Sequence, residues 1–267
     1  MLWSFTVILG IIISILFFVK LKVKKGDTVF FHGDSMGIFQ VKGSNPKEKT
    51  DFFWKCIIEF VGKKGTIIVP SFSYSINKKK IFDTNKSKSK IGQFSEDFRK
   101  NNLSGRTSDP IFSVCVYGKE KIKIKKLPYN NSFGKNSIFN YLHSNNVKLI
   151  CLGCGLEAVT FLHYVEQALN VPYRKFKIFN AKILNKKRKI INKKIKFFCR
   201  PSNKNYNYDL NILKKEMIKK HKICASNFGR IKSYSFNARD FFTICKSILK
   251  KNNKILIDEI WSSGNNH

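Results

Sequence analysis

Along most of the chain, short apolar runs alternate with polar turns at the spacing of a strand, then a helix. The run Thr28–Phe31, launched by Gly26 and Asp27, predicts a strand, and Thr66–Val69, set between Gly65 and Pro70, predicts a second. Further strands are predicted at Ile111–Val116 and Val147–Leu152. Between the first two strands, residues 47–61 place Phe52, Phe53, Cys56, Ile57 and Phe60 on one helical face. A helix is also predicted over Thr160–Leu169, with Thr160 as its cap and Pro172 ending it. Two apolar alternations, 176–184 and 190–198, flank the basic run 185–189 and predict a hairpin. Strands alternating with helices indicate an α/β fold, a single domain with a central mixed sheet flanked by helices. No repeat or linker divides residues 24–260, and 261–267 reads as a tail.

Residues 1–23 follow another pattern and predict a hydrophobic N-terminal helix. Leu2 to Val19 carries no charge and is followed by Lys20, Lys22, Lys24 and Lys25. As a helix this run spans about 27 Å, close to the hydrocarbon core of a bilayer. It lacks the basic start and small-residue cleavage site of a signal peptide. The lysines after it predict a cytoplasmic protein, anchored by residues 2–19 to the cytoplasmic face of the membrane. A buried first helix is the competing reading.

Charge sharpens this picture less than its size suggests. The 267 residues carry 51 Lys+Arg against 17 Asp+Glu, a net charge of +34. An excess of that kind favours phosphate-bearing partners through counterion release. Yet the arginines are only 99, 106, 174, 188, 200, 230 and 239, so lysine makes up the rest. Lys, Asn, Phe and Ile share A/T-rich codons, and a nucleic-acid surface would favour the planar fork of arginine. No nucleic-acid partner is expected. The seven cysteines are scattered, with Cys151 and Cys154 as an isolated CxxC, and the five histidines do not cluster, so no metal site is expected.

The most informative chemistry is the pair His163 and Glu166. Three residues apart on the predicted helix, they share a face, and a carboxylate beside imidazole fixes its tautomer and stabilises the imidazolium. That is the pattern of a general base and its orienting partner, although a structural His–Glu pair has the same spacing.

The wider series of segments is more specific. Gly26–His32 (GDTVFFH), Gly65–Ser73 (GTIIVPSFS), Gly92–Arg99 (GQFSEDFR), Arg106–Ser113 (RTSDPIFS) and Thr160–Glu166 (TFLHYVE) occur in this order. The series resembles the aminoglycoside 3-N-acetyltransferase family over roughly residues 24–260. The resemblance implies transfer of acetyl from acetyl-CoA to the amine of an amino sugar, with His163 as base and Glu166 orienting it. It also implies acetyl-CoA contacts at His32, Ser35, Arg106 and Ser108. Two blocks depart from the antibiotic-resistance pattern: Gly33–Asp34 replaces the usual serines after His32, and Asp109 stands where histidine is common. For Arg106 a structural role, as a salt bridge to Asp109 or Glu96, is the alternative. The stretch Glu166–Arg174, with Phe176 and Lys177 behind it, is similar to the branch found in surface-polysaccharide biosynthesis. That branch implies an acceptor linked to a nucleotide or lipid, and a strongly basic chain suits such an anion better than a cationic drug. A non-catalytic, membrane-tethered binding protein with the same fold is the reading from a different class.

Overall fold

Alternation along the strands sorts the apolar residues onto two faces of one sheet, and the helices cover both. The computed structural model describes residues 15–41, 43–75, 81–101, 104–184, 188–201 and 205–260. Helix α1 covers residues 15–20. Strand β1 (Thr28–Gly33) and the short α2 (Ser35–Phe39) lead to α3 (Pro46–Val61), β2 (Thr66–Pro70), β3 (Ile81–Asp83) and α4 (Gln93–Lys100). Strands β4 (Gly105–Arg106) and β5 (Val114–Gly118) precede α5 (Lys121–Lys125), α6 (Ile138–Ser144) and β6 (Lys148–Leu152). A single 3-10 turn, Leu156–Ala158, introduces α7 (Leu162–Leu169), and the hairpin of β7 (Lys175–Leu184) and β8 (Ile190–Cys199) follows. The last described elements are β9 (Asn205–Tyr208), α8 (Asn211–Lys219), β10 (Cys224–Phe228), β11 (Ile231–Asn237), α9 (Ala238–Lys251) and β12 (Ile257–Ile260).

The main sheet has seven strands in the order β10-β11-β6-β1-β2-β5-β4. Strand β1 runs parallel to β2 and β6, and the outer pairings are antiparallel, so the sheet is mixed. Phe30, Ile68, Leu149 and Cys151 project into a large core beneath α6, α7 and α9. Val29, Phe31, Ile67, Val69, Ile150 and Leu152 project to the other face, against α1, α3 and α4. The β7/β8 hairpin pairs as predicted, from Lys175 opposite Cys199 to Leu184 opposite Ile190, and β3 extends it to a small three-stranded sheet.

Helix α3 forms where predicted because its start is doubly satisfied. The Asn45 side chain accepts the Glu48 N–H, Glu48 accepts the Ser44 N–H in return, and Pro46 needs no partner at the first turn. Its buried stripe is rotated from the predicted one: Phe53, Trp54, Ile57 and Val61 face inward, while Phe52 and Phe60 are half-buried. The indole of Trp54 decides this, lying 4.4 Å from the Phe98 ring and 5.0 Å from Phe94.

Two other expectations are corrected, and a third falls largely outside the described residues. The strand predicted from Ile111 begins at Val114, because the Asp109 side chain accepts the N–H groups of Ile111 and Phe112 and turns the chain. Helix α7 starts at Leu162 with no side-chain cap, so Thr160 does not cap it, and it ends at Asn170 in the left-handed conformation, before Pro172. Residues 2–14 of the predicted anchor, and the 261–267 tail, lie outside the described residues. The end of that hydrophobic run is built into the core: Phe17 packs on Phe228, and Phe18 on Phe31 and Phe60. Among the described residues no helix is long and apolar enough to cross a membrane.

Gly33 explains one departure noted in the sequence. Its face of β1 is filled by the Phe94 ring, and a β-carbon at position 33 would stand 2.6 Å from it. Gly33→Ala should therefore destabilise the fold by about 1–3 kcal/mol through overpacking. Trimming the obstacle in Phe94→Leu should make the double variant more stable than the sum of the single losses. Denaturant unfolding of the four proteins measures this, and strictly additive losses would contradict the Gly33–Phe94 contact.

Candidate active site

Strand β6 delivers the chain to the carboxyl ends of the parallel strands, where open α/β sheets place their ligand crevices. Gly153, at φ 69°, turns it off the sheet, and α7 then packs against α9 with Leu162, Val165 and Glu166 inward. One turn earlier on the helix, His163 reaches a half-buried position at the surface of the same core.

Glu166 is wholly buried, and four donors converge on its carboxylate. Oε2 lies 2.7 Å from His163 Nδ1 and 2.7 Å from Arg174 Nε. Oε1 accepts hydrogen bonds from the hydroxyls of Tyr173 and Tyr208, each at 2.9 Å. Arg174 is itself pinned: Nη1 donates to the Phe198 carbonyl at 2.9 Å and Nη2 to the Tyr208 hydroxyl at 3.0 Å. Burial works to raise the Glu166 pKa, but His163, Arg174 and Tyr173 outweigh it and hold the group below its ordinary value, so it is ionised. Burial and the same carboxylate push both tyrosines upward, so they remain neutral donors.

This arrangement assigns the histidine tautomer. A carboxylate only accepts, so Nδ1 carries the proton and Nε2 keeps a lone pair. Arg174 Nη2 also lies 2.9 Å from Nδ1 and 3.3 Å from Nε2. Burial, and then the Arg174 charge, lower the His163 pKa against the opposing pull of Glu166. The imidazole is therefore neutral near pH 7, the state a general base requires.

His163 opens on a cavity of about 340 Å³. Tyr74 and Phe112 form one wall, Phe197 and Cys199 of β8 another, and Arg174 and Arg200 supply the charge. No lining residue is acidic among those described. Sequence reasoning found His163 and Glu166 but missed Tyr173, Arg174 and Tyr208 as partners. Tyr173 and Arg174 stand in the stretch just after α7, where a buried carboxylate's need for donors could have pointed to them. Tyr208 enters from β9, 42 residues beyond Glu166, with no local signal.

The four expected acetyl-CoA contacts lie outside this cavity. His32, at the end of β1, is buried on the same sheet face as Phe30 and is held neutral, its pKa lowered to about 4 by burial; Nε2 has no partner among the described residues. Ser35 opens α2 and lines a cleft of about 470 Å³ between α2, α3 and α4. Arg106 is buried and donates to the carbonyls of Ser71 and Ser87 and to Ser113 Oγ. It forms neither expected salt bridge, because Glu96 pairs with Arg99 at 2.7 Å and Asp109 accepts backbone N–H groups. Its edge lines a second cleft, of about 460 Å³, that shares Lys100 and Asn101 with the first. Ser108 is half-buried in the loop between β4 and β5.

Comparison with known proteins bears on the fold and the family. The family model of the aminoglycoside 3-N-acetyltransferases matches residues 31–250. No curated protein matches the sequence. Among solved structures, the aminoglycoside acetyltransferase AAC(3)-Xa is 16% identical, over 90% of this chain and 92% of its own, with a TM-score of 0.76. The YokD protein from Bacillus subtilis is 20% identical over 92% and 94%, with a TM-score of 0.75. AAC-IIIb in binary complex with CoASH is 17% identical over 89% and 95%, with a TM-score of 0.74. At such identities the structures establish the fold, and the family model spans most of the chain. The chain thus belongs to the aminoglycoside 3-N-acetyltransferase family, whose members are N-acetyltransferases that use acetyl-CoA.

Proposed function

We propose that this protein transfers acetyl from acetyl-CoA to the amine of an amino sugar carried on a nucleotide or lipid, with His163 as general base and Glu166 as its orienting partner. The observation that carries the reading is the 2.7 Å contact between His163 Nδ1 and Glu166, which leaves Nε2 as the accepting nitrogen of a histidine that lines a cavity of about 340 Å³. The acceptor amine attacks the thioester carbonyl while Nε2 takes its proton. The tetrahedral intermediate then collapses, and the departing thiolate of CoA receives that proton from the imidazolium. Glu166 lies against the developing positive charge throughout, and the two tyrosines and Arg174 keep its carboxylate in place. The family's acetyl-CoA contacts are assigned to His32, Ser35, Arg106 and Ser108. Ser35 and Arg106 line the two clefts that meet at Lys100 and Asn101, and the bonds of Arg106 make it a wall of its cleft.

Electrostatics support an anionic acceptor. The relatives AAC(3)-IVa and AAC-VIa have been crystallised with a gentamicin and with sisomicin, which are polycationic drugs. Here Arg174 and Arg200 line the cavity; Glu166 compensates Arg174 from behind, which leaves the charge of Arg200, and no lining carboxylate opposes it among the described residues. A polycation would meet like charge there.

Purified protein should release free CoA thiol from acetyl-CoA only when an amino-sugar acceptor is present. His163→Ala should lower kcat by about 10²–10⁴-fold, the usual worth of a general base, and a fully active variant would overturn the assignment. No thermal shift with acetyl-CoA would instead favour the tethered binding protein.

The pH profile follows from the charges around His163. The base works when neutral and its pKa lies below the ordinary value, so kcat/KM should stay level through neutral pH and fall only on acidification below that pKa. Arg174→Met removes a nearby positive charge, so the acid limb should move to higher pH. Arg174→Lys keeps the charge but loses the fork, so its limb should stay near that of the parent while kcat falls. Unchanged limbs in all three proteins would contradict the role of Arg174.

A further inference from the structure

The hairpin beside the cavity changes character along one face. In an antiparallel pair, directly opposed residues project to the same side. Lys177 stands opposite Phe197 and Lys175 opposite Cys199, so the face that gives the cavity Phe197 and Cys199 also carries these two exposed lysines. Farther along that face, Ala181, Ile183 and Ile195 are buried in the core. The face is therefore apolar where it packs and basic where it borders the cavity.

Arg200 follows Cys199 and completes the basic border. It is exposed, it lines the cavity, and Nη1 is anchored to the Tyr206 carbonyl at 3.0 Å. Its charge reaches His163, where it disfavours the imidazolium. Glu166 cannot neutralise it, being buried behind His163 and already paired with Arg174. In a chain that uses lysine almost throughout, arginine at this point supplies a planar fork that matches two phosphate oxygens.

We infer that Arg200, supported by Lys177 and Lys175, forms an anion subsite for the phosphate that links the acceptor sugar to its carrier. The inference rests on the acetyltransferase reading of the same cavity. A cavity of about 340 Å³ is at the small end of ligand pockets, enough for a sugar ring against Phe112 and Phe197 but not for its carrier. The amine then meets His163, the sugar-linked diphosphate meets Arg200, and the carrier lies outside over the hairpin. A nucleoside diphosphate and a lipid diphosphate present this same group to Arg200.

Initial rates with acetyl-CoA would test this on one amino sugar in three forms: free, nucleoside-diphosphate-linked, and linked to a short-chain polyprenyl diphosphate. The diphosphate forms should have the lower KM, and the better of the two identifies the carrier. Arg200→Gln should raise KM for the preferred diphosphate form about tenfold more than for the free sugar, as loss of a charge-assisted hydrogen bond does, with little change in kcat. Arg200→Lys should recover part of that loss, and added salt should weaken the parent's preference. Lys194→Gln, on the opposite face of the hairpin, should leave the preference intact. Equal KM changes for free and phosphorylated sugar would overturn the subsite, as would a parent enzyme that favours polycationic aminoglycosides; both outcomes leave the acetyltransferase reading standing. A folded protein that binds acetyl-CoA and acetylates none of these acceptors would overturn both.

Discussion

The site depends on one buried charge. Removing a carboxylate from water costs several kcal/mol, and only well-placed partners offset it. Around Glu166 the chain assembles a histidine from the same helix, Tyr173 and Arg174 from the turn after α7, and Tyr208 from β9. Arg174 adds the Phe198 carbonyl of β8. The need to satisfy Glu166 thus ties α7 to both small sheets. The same cluster holds the His163 ring, while burial and the Arg174 charge outweigh the pull of Glu166 and keep it neutral. Structural and chemical demands coincide at this carboxylate.

The larger sheet serves as the platform. With Phe30 beneath one layer of helices and Phe31 beneath the other, β1 is committed on both faces, and its end is crowded by Phe94. The resulting shape explains the glycine at position 33 without any appeal to substrate. The clefts lined by Ser35 and Arg106 share no lining residue with the cavity at His163. The net charge has a narrower meaning than its size implied: lysines are spread over the surface, whereas Arg99, Arg106 and Arg174 hold carboxylate or carbonyl groups in fixed geometry.

Much of the fold was legible in the chain. Strands β1, β2 and β6, helix α3 and the β7/β8 hairpin follow from period and punctuation, because each buries a pattern only its own period can present. Less legible were the boundaries set by contacts across the fold. The stripe of α3 is centred on Trp54 because Phe94 and Phe98 wait for it on α4. The start of β5 is delayed by the buried turn at Asp109. The hydrophobic run before Lys20 reads as a membrane anchor with a core helix as the competing reading, and the described end of it packs on Phe31, Phe60 and Phe228.

The division falls at the range of the interactions. The sequence by itself determined the alternation of strands and helices, the family, and the pairing of His163 with Glu166, since a spacing of three on a helix is a local fact. Tertiary structure alone decided that Arg174, Tyr173 and Tyr208 close on that carboxylate, that Arg106 binds carbonyls rather than Glu96 or Asp109, and that Arg200 stands at the cavity. These groups lie up to 42 residues apart, and nothing in the chain's local pattern encodes which donors a buried charge will find. Only the packed fold brings them within hydrogen-bonding reach.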